Sequence, residues 1–333
     1  MRFFLNKNWR RARSATFAAT AVCLAAIAAG NALSDAKAAA AGATSGAAAQ
    51  NQTVKKSPSK PAKRPLTPLT PEERFAPKTP FSAPAMPLVA HRGFSHKFPE
   101  NTLSSFRGAI AAGADGCEFD VRKTRDGKII VLHDATLSRT AKAPRVRDAA
   151  RASITKVAAL TLAEVSTFDA GARKGSQFAG ERVPTLDATL ALLAKSTCRP
   201  VVEIKVENIE EAVIAALKRA EVFEKAVVIS FSKTVVKKLR ALEPRLTVAW
   251  LCGAERGETT LVADALTRDA RAIGVNMLDM EHSRLTQPLV AELRKRGFTV
   301  WAWTVDKPER AALLRQWGVA SITTNRPDIV GKH

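Results

Sequence analysis

Two histidines, two cations and three carboxylates recur at corresponding places along this chain. His91 and Arg92 close the apolar run Leu88–His91. Glu118 and Asp120 lie two apart within Cys117–Val121, so they share one face of a strand. His133 and Asp134 close Lys128–His133, Glu203 and Lys205 end Val201–Lys205, and Trp303 and Thr304 end a later run. Taken singly, each has an ordinary reading: a structural histidine, a solvated acidic pair, a simple ion pair, a core tryptophan. Taken together they are harder to dismiss, because charged groups on short apolar strands are costly unless paired or used. Three converging carboxylates repel one another unless a cation sits among them, and oxygen-only ligands suit Ca²⁺ or Mg²⁺ better than zinc. Two histidines beside that cation suit a general base and a general acid. Arg92 and Lys205 suit an anion, the arginine gripping phosphate oxygens in bidentate fashion. The combination describes hydrolysis of a phosphoryl group.

Alternating strands and helices must position these groups. Strands are expected at Leu88–His91, Cys117–Val121, Val201–Lys205, Val227–Phe231, Thr247–Leu251, Ala272–Asn276, Thr299–Thr304 and Ser321–Thr324. A further strand, Lys128–His133, follows the turn pair Asp126-Gly127 and pairs back on its predecessor as a hairpin. Helices fit between. Asn101 or Thr102 caps one bearing Leu103, Phe106 and Ile110, Thr161 to Glu164 is a capping box, and Thr185 caps Leu186–Ala194. Residues 209–221, 233–242, 286–296 and 308–316 also read as helices. Eight mostly apolar strands interleaved with helices predict an α/β fold, a TIM (β/α)8 barrel with a β-hairpin after the second strand. A doubly wound open sheet is the alternative. The long stretch Ala135–Arg182 is expected to fold over the mouth.

Before Leu88 the composition is different. Arg2, Lys7, Arg10, Arg11 and Arg13 precede an apolar run from Ala15 to Ala29 and small residues ending at Ala38. This is the order of a cleaved export signal, residues 1–38. A retained membrane anchor is the second reading. Residues 39–86, rich in Ala, Pro and Lys, cannot bury enough to offset ordering and read as a disordered linker. The folded domain is then 87–331, in a periplasmic or secreted protein. The net charge of +21 points to anionic partners. However, residues 1–87 hold 13 Lys+Arg against 3 Asp+Glu, nearly half of that excess. With Tyr absent and no recognised motif, nucleic acid is not an expected partner. Nothing in the sequence specifies an oligomer. Cys117, Cys198 and Cys252 form no close pair in sequence and read as buried small apolar residues.

The segment "AHRGFSHKFPENTLSSFRGAIAAGADGCEFDVRKTRDGKIIVLHDATLSRT" closely resembles the opening of the glycerophosphodiester phosphodiesterase family. "GERVPTLDATLALL", "VVEIK", "VISF", "VWAWTVD" and "ITTNRPD" follow in that family's order, so the resemblance covers about residues 87–330. It implies a TIM barrel and a divalent metal, usually Ca²⁺ or Mg²⁺, held by Glu118, Asp120 and Glu203. It makes His91 and His133 the acid/base pair, Arg92 and Lys205 the phosphate contacts, and Trp303 a border of the substrate pocket. The implied reaction cleaves a glycerophosphodiester, such as glycerophosphocholine, to glycerol 3-phosphate and an alcohol. His91 is favoured as base and His133 as acid. The nucleophile is either water or the neighbouring glycerol hydroxyl. The rival readings are an exported lysophospholipase D-type enzyme and an idle barrel kept for binding.

Overall fold

A computed structural model describes residues 87–144 and 155–331. The export-signal and linker expectations lie outside the described residues. The strands are β1 (Leu88–Ala90), β2 (Gly116–Lys123), β3 (Ile129–Val131), β4 (Arg199–Ile204), β5 (Val227–Ser230), β6 (Thr247–Cys252), β7 (Met277–Glu281), β8 (Thr299–Trp303) and β9 (Ser321–Thr324). All except β3 pair in parallel, and β1 bonds both β2 and β9, which closes an eight-stranded barrel. β3 pairs antiparallel with the far end of β2, as the turn at Asp126-Gly127 predicts. The TIM barrel and its hairpin are therefore present.

The alternating directions of strand side chains build two layers. Val89, Val201, Ile229, Ala249, Leu251 and Met277 fill the barrel interior. Their neighbours along each strand face outward and join the larger apolar layer beneath the helices. The first helices are α1 (Leu103–Ala111), the one-turn α2 (Leu162–Val165) and α3 (Leu186–Ala194). They are followed by α4 (Glu210–Arg219), α5 (Lys233–Leu242) and α6 (Thr259–Ala272), then α7 (Gln287–Lys295), α8 (Pro308–Gln316) and α9 (Pro327–Val330).

α1 shows how the helices hold the strands. Thr102 caps it, its hydroxyl accepting from Ser105 N–H, a contact of about 1 kcal/mol. Phe106 then meets Phe119 of β2 edge-on at 5.6 Å, worth roughly 0.5–1.5 kcal/mol beyond burial. Phe119 lies between Glu118 and Asp120, so this contact behind the strand turns both carboxylates inward.

The seventh strand differs from expectation. Ala272–Asn276 is not a strand: α6 runs through Ala272, Gly274 breaks the chain at φ +79°, and β7 begins at Met277. Two things hide the strand. Asp279 interrupts its apolar run, and the apolar residues before Gly274 belong to the end of a helix that the sequence reading did not place. The long excursion after β3 carries its own small core. Leu137, Val157, Leu160 and Val165 pack with Ile130 and Leu132 of the hairpin.

Candidate active site

The first functional turn follows β1. Arg92 and Gly93 both adopt left-handed backbone, at φ +55° and +74°. A Cβ at Gly93 would sit 2.4 Å from Ser105 Oγ and 2.7 Å from its backbone carbon, so only glycine fits. The turn aims Arg92 N–H at Glu118 Oε2, 2.8 Å away. It also sets His91 into the barrel mouth. His91 Nδ1 lies 2.7 Å from Asn325 Oδ1. Asn325 spends its own amide N–H on Asp306 Oδ2 at 2.7 Å, so its oxygen faces the histidine and accepts. The ring proton therefore belongs on Nδ1, and Nε2 is left bare, 3.9 Å from Glu118 Oε2. Burial, reinforced by the adjacent Arg92 charge, pushes His91 down to about 4.

The three carboxylates meet because of strand register. Asp120 of β2 stands directly beside Glu203 of β4, and Glu118 lies one inward position below Asp120. One oxygen from each of Glu118, Asp120 and Glu203 falls within 4.8 Å of the others. All three are buried. Lys205 Nζ reaches Glu203 Oε1 at 2.6 Å and Asp120 Oδ1 at 3.0 Å, and Arg92 Nε stands 3.5 Å from Asp120 Oδ2. Burial opposes ionisation of Asp120, yet Lys205 and Arg92 hold it near 2. Glu203 goes the other way: burial and the Asp120 charge push it up to about 7. Burial, Asp120 and Glu203 raise Glu118 well above the carboxylate range, and its Oε1 has no hydrogen-bond partner. A buried oxygen without a partner, in an oxygen-only cluster whose carboxyls oppose one another's ionisation, fits a hard divalent cation.

His133 follows β3 and lies near enough to Asp120, Lys205 and Arg92 to feel their charges. Its Nδ1 lies 2.7 Å from Asp134 Oδ1. Arg139 Nε donates to Asp134 Oδ2, while its two terminal nitrogens grip Glu100 at 2.7 Å each. Glu100 in turn accepts from Arg92 Nη1 at 2.9 Å. A chain of alternating charge thus runs from His133 through Asp134, Arg139 and Glu100 to Arg92. Burial lowers His133 from its usual range, partly offset by the Asp120 charge and the Asp134 hydrogen bond.

Trp303 stands at the rim. Its Nε1 donates to Asp279 O at 3.1 Å, and its ring meets Phe231 edge-on at 5.6 Å. Phe231 is half exposed and lies 6.0 Å from Lys205 Nζ. All eight residues singled out from the sequence therefore gather at one end of the barrel. His96, read as ordinary, is exposed.

Sequence reading missed four supporting residues. Asn101 holds Asp120 with both ends of its amide: Nδ2 donates to Oδ2 at 2.7 Å, and Oδ1 accepts from the Asp120 N–H at 3.2 Å. Of the two candidate caps, Asn101 and Thr102, Thr102 takes that role. Glu100 lies in the same Pro-Glu-Asn-Thr stretch. Asn325 and Arg139 lie in the quoted stretches "ITTNRPD" and "LHDATLSRT", but only their placement beside the histidines reveals their role. Lys174 Nζ donates to Ser95 O at 2.7 Å and His96 O at 2.8 Å. The described part of the excursion after β3 is thus fastened to the turn after β1.

Known proteins resemble this chain in sequence and fold. The model of the glycerophosphoryl diester phosphodiesterase family matches residues 91–329. A glycerophosphodiester phosphodiesterase of Caldanaerobacter subterraneus is 32% identical over 250 residues, 72% of this chain and 94% of that protein. A Bacillus subtilis protein of the same name is 30% identical over 73% of this chain and 85% of its own length. Among solved structures, an Oleispira antarctica phosphodiesterase in complex with the product sn-glycerol-3-phosphate aligns with TM-score 0.64 and 25% identity. That alignment covers 74% of this chain and 95% of the other. With the barrel, the clustered acids and bases and these likenesses in agreement, the chain belongs to the glycerophosphoryl diester phosphodiesterase family of enzymes.

Proposed function

We propose that this chain hydrolyses glycerophosphodiesters, such as glycerophosphocholine, to glycerol 3-phosphate and an alcohol, with a divalent cation and two histidines. The observation that carries the reading is the placement of His91 and His133 about one cluster of three buried carboxylates, with Arg92 and Lys205 beside it. Glu118, Asp120 and Glu203 would hold the cation, Ca²⁺ or Mg²⁺. When bound, it supplies positive charge for the phosphoryl oxygens.

The chain's own groups do the rest. Arg92 and Lys205 bind the phosphodiester oxygens and oppose charge that grows as the nucleophile adds. His91, bare at Nε2, takes the proton of the attacking hydroxyl, whether from water or from the neighbouring glycerol carbon. His133, whose Nδ1 faces the Asp134 carboxylate, returns a proton to the leaving alkoxide from Nε2. Trp303 and Phe231 wall the rim where the alcohol leaves. That wall also favours one second reading, a lysophospholipase D-type reaction, because a half-exposed phenylalanine beside the phosphate contacts would accept an acyl chain. We further infer an exported protein, with a signal or retained anchor at 1–38, a linker at 39–86 and the catalytic domain at 87–331. The order of charged, apolar and small residues supports it.

The test is release of glycerol 3-phosphate from glycerophosphocholine by the full chain, with Ca²⁺, with Mg²⁺ and with EDTA. Release that depends on metal is the expected result. No release with either metal, but turnover of a lysolipid, would move the assignment to the second reading.

A further inference from the structure

Cys117 and Cys198 take no part in the chemistry above. Cys117 is the second residue of β2, and Cys198 immediately precedes β4. Both are wholly buried, and their Sγ atoms lie 2.8 Å apart. A disulfide bond measures about 2.05 Å, while unbonded heavy atoms in contact settle roughly 3.5–4.0 Å apart. The pair stands between the two, within about 1 Å of bonding distance. β2 and β4 are neighbours in the barrel although the two cysteines lie 81 positions apart in sequence. Arg199 N donates to Asp115 O at 2.9 Å, fixing the two strand entrances side by side.

We propose that Cys117 and Cys198 form a disulfide that staples the entrances of β2 and β4. The oxidant is a small exchanging disulfide of the glutathione class. One cysteine thiolate attacks a sulfur of the oxidant and releases one glutathione thiol. The second cysteine thiolate then attacks the cysteine sulfur of that mixed disulfide and releases the other. Two protein thiols become one bond, and the oxidant becomes two thiols. Because both sulfurs are shielded in the closed barrel, the bond forms while the chain folds and is afterwards hidden from reductants. The exported location proposed above would supply an oxidising compartment.

The position argues for a staple and not for a catalytic thiol. Cys117 faces the layer beneath the helices, whereas Glu118 beside it faces the interior. Both sulfurs lie where β2 and β4 begin, in the layer beneath the helices and on the strand face turned away from the inward-facing carboxylates. The loop they close contains Glu118, Asp120, His133 and the whole excursion. Restraining that loop in the unfolded chain favours the fold.

The full chain is refolded from denaturant in a mixture of reduced and oxidised glutathione. Free thiols are then alkylated in denaturant, and the digest is weighed. The expected product is a peptide pair joined through Cys117 and Cys198, two hydrogens lighter than its separate parts, with Cys252 of β6 alkylated. Alkylation of both Cys117 and Cys198 without prior reduction would overturn the proposal. Refolding under reducing conditions should lower the melting temperature by roughly 5–10 °C. Cys198→Ala and Cys117→Ser should each show no such redox dependence. An unchanged melting temperature in the reduced parent protein, or an undiminished dependence in either variant, would overturn the staple.

Discussion

The two histidines are mounted in opposite ways. His91 hangs from a turn of the barrel itself, and its Nδ1 faces a neutral amide. His133 hangs from the hairpin, and its Nδ1 faces a carboxylate. The His91 side chain is 19% exposed and that of His133 32%. Asn325, which orients His91, is itself braced by Asp306 from the far side of the barrel closure. Asp134, which orients His133, is braced by Arg139 and Glu100, a surface network ending on Arg92. A neutral amide and burial leave the first ring bare and unwilling to hold a second proton. A carboxylate partner favours the charged form of the second ring and so offsets part of its burial. On the proposed mechanism this difference would separate a base from an acid by environment alone, and it makes the two histidines breakable by different means.

Removing the bare ring should have the largest effect. His91→Ala is expected to lower kcat on glycerophosphocholine by roughly 10²–10⁴-fold with the circular dichroism spectrum unchanged. Near-normal kcat would remove His91 from the reaction. Breaking the two braces comes next. Asn325→Ala and Arg139→Met should each cost about 10–100-fold in kcat, a range typical of groups that orient a functional side chain. They should separate on leaving group. Arg139→Met should spare a p-nitrophenyl ester, whose alcohol leaves without a proton, while Asn325→Ala should slow both esters alike. Equal behaviour of the two variants would erase the distinction drawn here.

The smallest effect concerns the carboxylates between the histidines. Glu203 in the metal-free fold keeps its proton up to about pH 7, above the ordinary value of 4.5. It therefore binds more protons folded than unfolded, and this carboxyl's contribution to the stability of the metal-free fold is lost as pH rises from 4.5 through 7. A cation must displace that proton at low pH but not at high pH. Calcium at about a hundredfold excess over Kd should raise the melting temperature by roughly 5–10 °C at pH 8 and by clearly less at pH 5. Equal shifts at both pH values would contradict the cluster as the cation site.

What sequence reading could reach follows from the same contrast. Strand-end polar residues were legible because each breaks an apolar run at a place where the chain gains nothing by burying it. The barrel was legible from eight such runs. β7 was displaced by five residues because Asp279, buried within it, looked like a loop residue. The partners of the residues that orient others were not legible. Asn325 lies 234 positions from His91 and Glu100 39 from Arg139, and no local period links such pairs. Cys117 and Cys198, 81 apart, were read as unrelated for the same reason.

The most direct test of opposite proton roles is the leaving-group dependence of His133→Ala. Its kcat/KM would be compared with that of the parent on glycerophosphocholine and on the p-nitrophenyl ester of glycerol 3-phosphate. A loss of about 10²–10⁴-fold on the choline ester and near-normal turnover of the nitrophenyl ester is the predicted result. Equal losses on both would contradict His133 as the acid, and with it the division of labour between the two mounts.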